Sequence, residues 1–153
     1  MKKLSVGMWI TCIAALLAIA AFIVYSVNVG AEGYYNGAYV NNFALMVWGA
    51  VACLLAAIAL KYSSQSKVAE IVSGILRIAA PALLAWALMN LISARVDGLG
   101  YIYFSNADVA KEVQTPANMA SATGAIASMV VMGVALVVAI VAAFCGLRKK
   151  NAK

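Results

Sequence analysis

Four stretches of this chain are too apolar, and too nearly free of charge, to settle in water. Val6 to Val27, Val40 to Leu60 and Ala120 to Leu147 contain no Asp, Glu, Lys or Arg, and Val68 to Ile92 contains only Glu70 and Arg77. A hydrocarbon core of roughly 30 Å is crossed by about 20 mostly apolar residues in a helix. Each stretch meets that length, and the fourth is long enough to need tilt or to project beyond the lipid. Composition closes off the soluble alternative. Apolar residues are 66% of the chain and charged residues 10%, against about 45–50% and about 25% in water-soluble domains. The same balance excludes intrinsic disorder, a collagen-like repeat and a coiled coil.

The expected fold is therefore all-α: an integral-membrane four-helix up-down bundle in a single domain. Its spans fall at about 6–27, 40–60, 68–92 and 120–147, with a cytoplasmic turn at about 61–67. A small external cap comes from two loops at about 28–39 and 93–119. Lys2 and Lys3 before the first span suggest a signal peptide, but its apolar run outlasts the roughly 7–15 residues of a signal core, which favours an uncleaved anchor.

Charge sets the orientation. Lys2, Lys3, Lys61, Lys67, Arg148, Lys149, Lys150 and Lys153 all fall on one side of the four-span layout. Glu32, Arg95, Asp97, Asp108, Lys111 and Glu112 fall on the other and are net negative. The positive-inside bias places both termini and the Lys61–Lys67 turn in the cytoplasm. The formal net charge of +6 reads as orientation and attraction to anionic lipid, not as a nucleic-acid footprint. No Asn is followed by x-Ser/Thr, so there is no N-glycosylation sequon. A bacterial plasma membrane is the expected location.

Candidate chemistry is sparse. Without histidine there is no Ser-His-Asp triad, no His-ligated metal and no haem histidine, and the five carboxylates are scattered. We expect no enzyme activity and no cofactor. Cys12, Cys53 and Cys145 lie within spans and none of their spacings is Cys-x-x-Cys, so they read as small buried hydrophobes.

Ionisable residues inside a span are functional candidates by default. Glu70, Ser73, Gly74, Arg77 and Pro81 recur at 3- and 4-residue spacings and share one helix stripe. Pro81 has no N–H for the carbonyl of Arg77 and should bend the helix there. This inner-half set reads either as an anion-binding cavity or gate, or as an arginine snorkelling beside Glu70. Asn90, nearer the outer end, is expected to bond a neighbouring helix.

The outer side is aromatic. Tyr34, Tyr35, Tyr39, Tyr101, Tyr103 and Phe104 form a candidate partner surface, the alternatives being an interfacial belt or a glycan platform. Asn36-Gly37 and Asp97-Gly98 read as turns. The run from Gly100 to Ser105 reads as a short strand or an interfacial segment. Asn106 is expected to cap a short helix, 107–114. Thr115-Pro116 then starts the last helix, with Thr as N-cap and Pro at the first helical position. Small-residue rows, Ala14/Ala18, Gly49/Cys53/Ala57 and Ala120/Gly124/Ser128, favour close helix approach.

Family signatures of other four-span proteins are missing. There is no tetraspanin Cys-Cys-Gly, no claudin Trp with a cysteine pair in the first outer loop, and no carboxylate in the first span as in small multidrug exporters. The expected role is a non-enzymatic accessory, anchoring or scaffolding subunit with a protein partner or a second copy of itself. The alternative is a small oligomeric channel or transporter using Arg77, Glu70 and Pro81.

Overall fold

The computed structural model describes residues 5–63 and 66–145. Lys2, Lys3, Ser64, Gln65, the last two residues of the fourth expected span and the C-terminal basic cluster lie outside the described residues. Five helices follow in order: α1 (Val6–Gly30), α2 (Phe43–Ser63), α3 (Lys67–Phe104), α4 (Ala107–Val113) and α5 (Pro116–Phe144). Among the described residues there is no strand. The four long helices are each long and apolar enough to cross a membrane, which makes this a multi-pass membrane protein by length and composition.

The bundle is cyclic: α1 packs on α2 and α5, and α3 packs on α2 and α5. Small residues build its seams. Ala14, Ala18 and Ala21 of α1 and Ala122, Ala125, Ala135 and Ala139 of α5 are fully buried, as are Leu54 of α2 and Leu84 and Leu91 of α3. The expected row at Ala14/Ala18 faces the interior; of Gly49/Cys53/Ala57, Ala57 is buried and the other two are half-buried. In α5 the buried row is instead Ala122, Ala125 and Ser128, with Ala120 exposed. Large aliphatics and tryptophans point outward: Trp9, Leu16, Leu45, Trp86, Val130 and Val137 are all exposed. A chain with small residues inside and bulky ones outside suits acyl chains as its solvent, where close backbone packing does the work of association.

Local signals place the helix starts. Ser5 and Ser66 cap α1 and α3, with Ser5 Oγ accepting from Met8 N and Ser66 Oγ from Ala69 N. Asn106 Oδ1 accepts from Val109 N at 3.0 Å, and Thr115 Oγ1 accepts from Asn118 N at 3.2 Å with Pro116 opening α5. These last two caps are where the sequence puts them.

One element departs from expectation. Helix α3 does not stop near Ile92 but runs 38 residues to Phe104, about 57 Å at 1.5 Å per residue. The Asp97-Gly98 turn is helix instead, and the run from Gly100 to Phe104 is helix rather than strand, with Ser105 as its C-cap. Packing overrides the local turn chemistry: Leu84, Ala87, Leu91, Arg95, Gly98 and Ile102 form one buried stripe along α3, at the 3- and 4-residue spacing of a helix face. Helix α3 is therefore about 25 Å longer than a 30 Å hydrocarbon layer is thick, and its C-terminal part forms the spine of the cap.

Candidate functional site

The cap closes the end of the bundle away from residues 5 and 145, and Arg95 is at its centre. Its side chain is 1% exposed. The guanidinium Nη2 donates to the carbonyl of Ala38 at 2.7 Å, and the group lies over the rings of Tyr35 (4.5 Å) and Tyr25 (5.8 Å). Arginine can be buried without a carboxylate when ring faces and carbonyls replace water. Local sequence makes Arg95 a loop charge rather than a buried group. The signal was its register with Leu84, Ala87 and Leu91.

The first loop is stitched over this arginine. Tyr35 Oη donates to the carbonyl of Arg95 at 2.7 Å, Tyr35 N donates to Ser121 Oγ at 3.1 Å, and Tyr25 Oη accepts from Val40 N at 2.7 Å. Burial pushes the Tyr35 phenol above its usual range, with the Arg95 charge opposing that rise, so the ring stays a neutral donor. Gly98 supplies the room: a β-carbon there would come within 2.6 Å of Tyr35 Oη. The Asn36-Gly37 turn is as expected, with Gly37 at φ +68° and its N–H on Val29 O at 2.9 Å. Helix α4 folds back on α3, and Gln114 Nε2 donates to Ile102 O at 3.0 Å.

Of the six aromatics expected on a partner surface, five are accessible and one is not. Tyr35 is 2% exposed and belongs to the interior, because its hydroxyl and ring both serve Arg95. Tyr39 and Phe104 are 77% and 88% exposed, and Tyr34, Tyr101 and Tyr103 are partly open. Tyr34 meets the Tyr101 ring at 6.2 Å and stands edge-on to Tyr35 at 5.1 Å. Tyr34 and Tyr101 thus rest on the base that Tyr35 forms.

The inner-half set separates into three unrelated contacts. Glu70 pairs with Lys61 at 2.6 Å, not with Arg77, because Lys61 sits directly across the α2–α3 turn. Ser73 Oγ donates to Ala57 O at 3.0 Å. Arg77 reaches the far helix, where its guanidinium donates to the carbonyls of Ala142 and Cys145 at the end of α5. Those carbonyls carry the negative end of the helix dipole, which a cation stabilises. Pro81 is buried within α3. Asn90 Nδ2 lies 3.7 Å from Met46 Sδ on α2, the neighbouring-helix contact expected of it.

Arg77→Ala should therefore fray the end of α5. Two carbonyls lose a charged donor worth about 1.5–3 kcal/mol. In a background with Cys12 and Cys53 replaced by Ala, thiol labelling of Cys145 should accelerate several-fold. An unchanged rate would show that Arg77 does not hold this terminus.

No family model matches the chain, and neither curated proteins nor solved structures give a match.

Proposed function

We propose that this is a non-enzymatic accessory or anchoring subunit of a plasma membrane, bacterial in source, with its termini and the Lys61–Lys67 turn in the cytoplasm and its aromatic cap outside. The observation that carries the reading is the construction of the cap. A buried arginine, two buried tyrosines and Ser121 tie the first loop to α3 and α5, while Tyr34, Tyr39, Tyr101 and Phe104 stay accessible on that base. Ordered aromatic side chains lose little entropy on docking and dominate interface energetics. The preferred partner is the extracytoplasmic part of another membrane protein. A carbohydrate ligand would demand polar groups arranged beside the rings; two asparagines there are directed elsewhere, Asn36 of the first loop to the carbonyl of Ala31 and Asn28 at the end of α1 to that of Ser121.

Replacing Tyr39, Tyr101 and Phe104 together by Ser tests this. These side chains are exposed, so the thermal midpoint in detergent should stay close to that of the wild type, while co-purification of partners after crosslinking in native membranes should fall at least tenfold. Undiminished co-purification would remove the cap from the partner interface. The charge layout is checked by cysteine scanning, with residue 39 expected to react with impermeant maleimide added outside cells.

A further inference from the structure

Beside the cap, the outer ends of α1 and α5 part to leave a groove of about 300 Å³. Its walls include Ile23, Val24, Val27 and Gly124, with Asn28 and Glu32 at the polar end. Three observations bear on its occupant. Asn28 is 6% exposed and spends its amide Nδ2 on Ser121 O at 2.8 Å, which leaves its Oδ1 buried with no partner. An acceptor left so is unfavourable until a donor reaches it. Glu32 is exposed and forms no ion pair among the described residues. Ile23 and Val27 are themselves exposed, so the groove opens sideways between two helices of membrane-spanning length.

We propose that this groove seats one lipid carrying a primary ammonium headgroup, of the phosphatidylethanolamine type, from the leaflet at the cap end. The ammonium supplies what the polar end lacks: N–H donors for Asn28 Oδ1, after a small rotation of the carboxamide, and a positive charge for Glu32. The apolar wall takes the first methylenes of an acyl chain. Phosphatidylcholine carries the same charge but has no N–H, so the missing hydrogen bond makes the distinction. Gly124 is part of the design, because a β-carbon at that position would overlap the Asn28 amide. The inference rests on membrane insertion with the cap at a lipid surface, but not on the cap binding a protein.

The test uses full-length protein reconstituted into vesicles of equal parts phosphatidylethanolamine and phosphatidylcholine. Lipids that remain bound after extraction in mild detergent are identified by native mass spectrometry. The wild type should retain phosphatidylethanolamine over phosphatidylcholine by at least fivefold. Glu32→Gln and the groove-filling Ala120→Phe, both at exposed positions, should each bring that ratio toward one, while Glu112→Gln leaves it unchanged. Equal retention by the wild type, or a preference that survives both variants, would overturn the assignment. So would displacement of the lipid by millimolar free ethanolamine, which would mark the groove as a site for a soluble amine, or a crosslinked dimer through Ala120→Cys, which would make a second copy the occupant. Failure to insert at all would appear first, as protein that does not float with the vesicles, and would count against the membrane reading itself.

Discussion

Arg95→Ala should loosen the whole first loop, at a cost of about 2–4 kcal/mol to the cap. The substitution removes a charged hydrogen bond to Ala38 O, worth about 1.5–3 kcal/mol, and two ring contacts of about 0.5–2 kcal/mol each. Against this stands the desolvation that a buried guanidinium no longer suffers, which is why the net figure lies below the gross sum. Arg95→Lys should restore little, since an ammonium lacks the flat, weakly hydrated face that lies over Tyr35 and Tyr25. Arg95→Met should fall between, keeping bulk for the rings but leaving the Ala38 carbonyl bare. The measurement is limited proteolysis between Ala31 and Asn42, followed with thermal unfolding in detergent. Cleavage in that loop should accelerate by at least an order of magnitude in Arg95→Ala. Unaltered protection would mean that Tyr35, Ser121 and the turn hold the loop without the cation.

The expected order, Ala worst and Met intermediate, separates a latch from a mere filler. A filler role would make Met equal to Arg. The two arginines of α3 are separable as well, because their partners differ in kind. Arg77 is half-buried and holds helix-terminal carbonyls, while Arg95 is enclosed by rings and a loop. Loss of Arg77 should leave proteolysis of the first loop unchanged, and loss of Arg95 should leave Cys145 labelling unchanged.

What the sequence makes legible is whatever depends on neighbours along the chain. The apolar runs, the caps at Asn106 and Thr115, Pro116 at the start of α5 and the turn at Gly37 are all decided within a few residues. Asn90 was also readable, since a carboxamide within an apolar helix has only another helix to bond. The rest depends on contacts distant in sequence. Hydropathy falls after Ile92, so Asp97-Gly98 looks like turn chemistry. The buried stripe through Arg95, Gly98 and Ile102 explains why α3 continues, and the approach of Tyr34 and Tyr35 from the first loop explains why a glycine stands there. Ser121 carries no signal, being one small residue among many in its row, yet its carbonyl takes Asn28 and its hydroxyl takes Tyr35 N. The partner of Arg77 is equally hidden, because Ala142 lies 65 residues further on. Glu70 to Lys61 was within reach of simple reasoning, for the two flank the same short turn.

Gly33→Ala is the second change with a large expected effect, and it tests the same latch from the opposite side. Gly33 has φ +130°, a region that residues with a β-carbon rarely adopt. A β-carbon there would lie 2.5 Å from Ala117 O and 2.7 Å from Ser121 Cβ. The obstacle is helix backbone, so it cannot swing aside as a side chain would. Backbone strain of about 1–3 kcal/mol adds to overpacking of about 1–3 kcal/mol, and lifting the loop off α5 is the cheaper escape. Tyr35 N then loses Ser121 Oγ, and its ring leaves Arg95. Gly37→Ala is the control: its φ of +68° carries strain, but nothing lies within 4 Å of the new carbon, so only about 1–2 kcal/mol should be lost. Loop proteolysis should accelerate far more in Gly33→Ala than in Gly37→Ala. Because Gly33→Ala and Arg95→Ala break one shared contact, their effects should also fail to add, the double variant being little worse than the more damaged single one. Full additivity would mean that the seat on α5 and the lock on α3 are independent, and that Tyr35 does not join them.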